Sequence, residues 1–159
     1  MPPYYPPVGF HFLVHVHGLQ PSDFDLRFTE VGGLSVEMTT EEVPEGGQNR
    51  FVQKFPVRAK YPELVLKRGL LVGSQLHDWI HDAVENFMII PRDIDIILLN
   101  DLHLPLMTWH LVNAYPTKWS VSDLSATNNA IVVESLQFFY QSFTLDRTLS
   151  VAGSLSLLR

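Results

Sequence analysis

Phe10-His11-Phe12-Leu13-Val14-His15-Val16-His17 puts Phe10, Phe12, Val14 and Val16 on one face and His11, Leu13, His15 and His17 on the other. Alternation with a period of two is the signature of a pleated strand with one buried face. Downstream, Gly18 to Asp25 reads as a turn-rich loop, and Leu26 to Val31 and Ser35 to Glu42 read as short strands. Gly32-Gly33 between them predicts a hairpin or a bulged corner. Val43 to Gln48 holds Pro44, Glu45, Gly46 and Gly47, too many breakers for regular structure, and predicts an exposed, mobile loop.

Arg50 to Arg58 and Glu63 to Lys67 are again strand-like, interrupted by Pro56 and Pro62, which cannot donate to a ladder and favour edges or strand ends. The period then changes. After Ser74, a natural N-cap, Leu76, Trp79, Ile80, Ala83, Val84 and Phe87 recur at steps of three and four, which predicts one amphipathic helix ending before Pro91. Asp93 to Asn100, Leu106 to Tyr115 and Ala130 to Leu145 return to β-branched and aromatic residues at strand lengths. Turn chemistry at Asn100-Asp101, Pro105, Pro116 and Asn128-Asn129 punctuates them. These elements predict a mainly β, α+β chain: an antiparallel β-sandwich or partly open barrel with one flanking α-helix.

A chain of 159 residues with 46% hydrophobic and 11% aromatic side chains can bury one core, and residues 1–159 read as a single domain. The formal charge of −6, with acidic residues scattered, lacks the clustered Lys/Arg footprint that phosphate backbones demand, so no nucleic acid is expected as a specific ligand. The absence of cysteine excludes disulfides and thiolate chemistry. Met1 to Gly9 is Pro-rich and lacks the basic start and apolar core of a secretory signal, and no apolar run approaches the ~20 residues of a membrane span. Synthesis in the cytoplasm without a signal peptide or membrane anchor is the expectation.

Several side-chain groups invite a chemical reading. His77-Asp78-Trp79-Ile80-His81 mimics the zinc-binding H-E-x-x-H helix, since residues at i and i+4 share a face. Asp78 is shorter than the Glu that serves as base, no third ligand follows at a recognised spacing, and the apolar stripe assigns both histidines to the wet face. A metal-dependent hydrolase on His77 and His81 is therefore the weaker reading. His11, His15 and His17 project from one side of a strand and fit a polar sheet face better than a chelate. Asp93 and Asp95 fit a solvated or intersubunit acidic face better than an acid/base pair. No G-x-S-x-G elbow, phosphate-cradling loop or dinucleotide fingerprint occurs. No catalytic residue, metal or cofactor is expected.

Read in order, Pro7-Val8-Gly9-Phe10-His11-Phe12, Phe28-Thr29-Glu30-Val31-Gly32-Gly33-Leu34 and Glu45-Gly46-Gly47-Gln48-Asn49-Arg50-Phe51 form a pattern. It continues through Leu66-Lys67-Arg68-Gly69, Pro105-Leu106-Met107-Thr108-Trp109, Asn113-Ala114-Tyr115-Pro116 and Lys118-Trp119. The pattern resembles the phage tail-tube family of contractile tails and extracellular contractile injection systems. It spans residues 7–145, leaving residues 146–159 as a C-terminal extension.

The resemblance implies a structural subunit, six copies of which join sheet edges into a homo-hexameric ring around a lumen. Its partners would be other tube, hub and baseplate subunits, with the sheath outside, in an assembled phage-tail-like particle. The stretch from Glu45 to Arg50, Arg58 and the Lys67-Arg68-Gly69 turn resemble the minor, tube-initiating relatives more than the major tube subunit. Inter-ring or intersubunit contacts are accordingly expected at Glu41, Glu42, Glu45, Gly46, Gly47, Gln48, Asn49 and Arg50. Arg58, Lys60, Lys67 and Arg68, the one concentrated basic segment, are expected to face acidic residues of a neighbour.

Overall fold

The computed structural model describes residues 12–20, 27–44, 46–47 and 53–147. The opening alternation forms β1 (Phe12–Val16), with Val14 and Val16 buried as the pattern requires. β2 (Glu30–Gly32) is followed by β3 (Glu37–Val43), β4 (Gln53–Lys60) and β5 (Leu64–Gly69). After helix α1 (Gln75–Val84) come β6 (Arg92–Leu99), β7 (Pro105–Val121), β8 (Val133–Phe139) and β9 (Ser142–Arg147).

Every pairing between these strands is antiparallel. β7 organises them. Its first half, Met107 to Val112, lies between β6 and β9, while its second half, Tyr115 to Val121, pairs with β8. One sheet therefore runs β1-β6-β7-β9 and the other β7-β8-β5-β2, with β7 shared. The sheet path does not close into a barrel among the described residues, in keeping with the expected sandwich.

The bend in β7 has local causes. Asn113 adopts φ 53, and its N–H donates to Asp93 Oδ1 at 3.0 Å. Pro116 sits beside the register shift that ends at Lys118. Sequence reading placed a turn at Pro116; the strand instead continues through it, because a bulge is where a residue without an N–H costs no ladder bond. The single strand expected over Ala130 to Leu145 is in fact β8 and β9, which return to opposite halves of β7.

Between the sheets, Val14, Val16, Ile94, Ile96 and Leu111 meet Leu64, Leu66, Leu136 and Phe138, all buried. α1 covers this core with Leu76, Trp79, Ile80 and Ala83, and Trp79 stacks on Phe138 with ring centres 5.4 Å apart. Ser74 caps the helix by accepting from the Leu76 N–H at 3.2 Å. At the other end, Met88 N–H closes back on Asp82 O at 2.9 Å, and Phe87 takes a left-handed φ of 53 just past the helix. Phe87, expected in the apolar stripe, thus lies beyond the helix and is exposed.

Gly32-Gly33 proves to be a corner where the chain leaves the sandwich. β2 pairs with β5, and Gly33, at φ +91, passes so close to the Glu63 carbonyl that a Cβ would sit 2.1 Å from its oxygen. Only glycine fits there. From this corner the chain enters β3 and β4, a two-stranded sheet that pairs with no other strand among the described residues.

Candidate assembly surface

The β3–β4 hairpin is bonded in register from Glu37↔Lys60 to Val43↔Gln53, with a bulge between Thr39 and Thr40. Pro56 lies at that irregularity, opposite Thr40. Val36, Met38, Val43, Phe55 and Val57 are all exposed, so the hairpin offers apolar side chains that the subunit itself does not cover. An isolated two-stranded ribbon is marginal in water and gains stability only by packing on something.

Several expected contact residues gather here. Glu41 and Glu42 lie on β3, Arg58 and Lys60 on β4, and Gly46 and Gly47 in the connecting turn, all exposed. Glu42 is already paired across the hairpin with Lys54 at 3.7 Å. Glu45, Gln48, Asn49 and Arg50 lie outside the described residues. Lys67 is elsewhere, on β5, 3.6 Å from Glu30 of β2.

Arg68 requires a correction. Expected as a surface contact, it is 2% exposed and bound inside the subunit. Its Nε donates to Glu134, its Nη2 donates to Ser74 Oγ at 3.1 Å, and its guanidinium lies 4.8 Å from the centre of the Phe28 ring. Strand alternation explains the error: Leu64, Leu66 and Arg68 share the inward face of β5, so the apparent basic run is divided between a surface and the core.

Glu134, fully buried on β8, also meets His77 Nε2 at 2.6 Å and accepts from Trp119 Nε1 at 3.1 Å. Burial pushes its pKa up, but the hydrogen bonds from Arg68, Trp119 and His77 and the Arg68 charge outweigh that and leave it below the ordinary Glu value. His77 is therefore part of a buried polar network, contrary to the wet-face reading. His81 turns instead to Glu85, Nδ1 to Oε2 3.1 Å, so the two histidines do not converge. No group of three or more His, Cys, Asp or Glu residues suited to a metal occurs among the described residues.

A second polar network crosses the outward face of the β1-β6-β7-β9 sheet. Asp95 takes His17 on one oxygen at 2.7 Å and His110 on the other at 2.6 Å, and His110 reaches Asp146 at 2.7 Å. The two carboxylates raise the His110 pKa above its ordinary value against a smaller opposing effect of burial. Strand parity could indicate that these side chains face outward. Their adjacency could not be read from the sequence, since Asp95 and His17 are 78 residues apart.

The outer edges of β1 and β9 bound this four-stranded sheet. The molecule thus combines a self-sufficient sandwich with sheet edges that no strand among the described residues pairs and an uncovered hairpin, the makings of a subunit that joins others. The family model of the T4-like virus tail tube protein gp19 matches residues 8–144, and the chain belongs to that family.

Solved structures agree. A chain of the anti-feeding prophage baseplate (6-fold symmetrised) is 30% identical with a TM-score of 0.83, over 92% of this chain and 99% of that one. A chain of an extracellular contractile injection system, the PVC sheath-tube complex in the extended state, is 29% identical with a TM-score of 0.76 (91% and 93%). A chain of the anti-feeding prophage tube-terminating cap is 26% identical with a TM-score of 0.80 (93% and 95%). No curated protein matches the chain. This is a tail-tube-related subunit, similar to components of contractile injection systems, and no helix among the described residues is long and apolar enough to cross a membrane.

Proposed function

We propose that the chain is a non-catalytic structural subunit that forms a hexameric ring at the start of the inner tube, between spike hub or baseplate and the main tube. The observation that carries this reading is the four-stranded β1-β6-β7-β9 sheet, whose outer strands β1 and β9 have unpaired edges among the described residues. Its strands alternate in direction, so β9 of one copy lies antiparallel to β1 of the next when copies repeat head to tail. A repeat of that kind closes into a ring and removes the exposed edges that a monomer would have to protect.

The uncovered hairpin supports a second contact, with Met38, Phe55 and Val57 packing on an adjacent copy or ring and Glu41, Arg58 and Lys60 setting its register. The turn around Gly46-Gly47 extends this contact toward the neighbouring ring. Similarity to a baseplate chain over nearly its whole length favours the tube-initiating position. Similarity to the sheath-tube chain supports the other reading, a major tube subunit. Residues 1–159 act as one domain in either case.

Negative-stain electron microscopy of the purified chain over a concentration series tests these readings. Isolated or briefly stacked six-fold rings are expected of the initiator, and long hollow tubes would transfer the assignment to the major subunit. Monomers at every concentration, alone and with hub and tube partners, would sink both.

A further inference from the structure

The outward face of the β1-β6-β7-β9 sheet bears a specific charge pattern. His15 projects from β1, with His17 just beyond its end; Asp93 and Asp95 project from β6, His110 from β7 and Asp146 from β9. Among the described residues no Lys or Arg stands at an outward position of the segments that form this sheet; Lys118 of β7 lies in the half that pairs with β8. Arg92 turns inward toward Trp79, 5.9 Å from its ring centre, and its Nη1 donates to the His17 carbonyl oxygen at 3.4 Å. Arg147 lies opposite the inward-facing Met107. The row therefore alternates imidazole and carboxylate from one edge to the other: His17, Asp95, His110, Asp146.

The two ends are unequal. Asp146, on the outer strand β9, is 72% exposed and among the described residues holds only His110. At the opposite edge, His15 makes no side-chain hydrogen bond among the described residues and only touches the His17 ring, 4.8 Å between centres. One edge thus ends in an underused acceptor and the other in an underused donor, which is complementary if the edges meet.

We propose that Asp146 of one copy binds His15 of the next, so that the His–Asp row runs unbroken across the junction and couples assembly to pH. This rests on the ring reading above and adds to it a contact specific to this sequence. Protonated imidazole donates to carboxylate more strongly than the neutral ring does. A junction that depends on a protonated imidazole therefore weakens as pH rises. Within its own subunit Asp146 is held by His110, whose pKa the Asp95 and Asp146 carboxylates raise.

The test is sedimentation velocity on the full chain at pH 6 and pH 8, across a dilution series, for the parent, His15→Gln and Asp146→Asn. The parent's rings are expected to dissociate at a concentration higher by roughly threefold or more at pH 8, the range of one exposed ion pair per junction. Asp146→Asn should flatten the pH dependence. His15→Gln should reduce it as well, although His15 makes no hydrogen bond within its own subunit, so a loss there reports the junction and not the fold. Rings with equal dissociation at both pH values, or parent-like pH dependence in His15→Gln, would overturn the proposal and leave the ring reading intact. Absence of rings at every pH and concentration would overturn both.

Discussion

The sandwich and the hairpin are built from the same alternating strands, yet they solve the problem of burial in opposite ways. In the sandwich, Leu64, Leu66, Ile94, Leu111, Leu136 and Phe138 are fully buried, and the charges drawn in with them, Arg68 and Glu134, satisfy each other. In the hairpin, every residue of β3 and β4 except Thr39 and Gln53 is exposed. The first region is complete in one subunit; the second leaves its apolar side chains uncovered. A protein meant to act alone would have covered or charged both faces of such a ribbon.

Mutations in the two regions are therefore expected to separate cleanly into effects on subunit stability and on assembly. The largest loss of subunit stability is expected for Glu134→Ala, which removes the buried carboxylate that Arg68, His77 and Trp119 all bind and should cost about 3–5 kcal/mol in urea unfolding. Acid acts on the same pair. Because the Glu134 pKa is lowered in the folded state, its contribution is present above the ordinary Glu value near ~4.3 and is lost as pH falls through the folded value. Urea midpoints at pH 5, 4 and 3 should fall more steeply for the parent than for Glu134→Gln.

A smaller effect, roughly 1–2 kcal/mol in the same assay, is expected for Ser74→Ala, which removes the α1 cap and one acceptor of Arg68. The smallest effect on the subunit, within about 0.5 kcal/mol, is expected for Phe55→Ser with Val57→Ser, since both side chains are already exposed. The same pair should sharply reduce ring formation in electron micrographs. Unchanged rings would mean the hairpin is an ornament, and the comparison would collapse.

Much of this was legible in the chain. The period-two alternation of β1, the cap and stripe of α1, the Asn100 turn and the change of period between them depend on neighbours a few residues apart, and local geometry governs them. The Asn100 side chain accepts from both Leu102 N–H and Leu104 N–H, as residues of its type do in turns. Less visible was the division of β7. Nothing local announces that one strand will serve two sheets, because the bend is set by where β8 and β9 find room. The split of Arg58, Lys60, Lys67 and Arg68 was missed for a related reason: adjacency in sequence does not say which side of the pleat a charge is on until the partner sheet is known.

By itself, then, the sequence determined the β-rich class, the single helix and the family, through short-range periodicity and the order of its motifs. Only the tertiary structure decided that Arg68 is buried on Glu134, 66 residues away, and that a His–Asp row spans four strands. It alone also showed that the hairpin stands uncovered. Each of these depends on which distant strands become neighbours, and that is settled by the packing of the whole core.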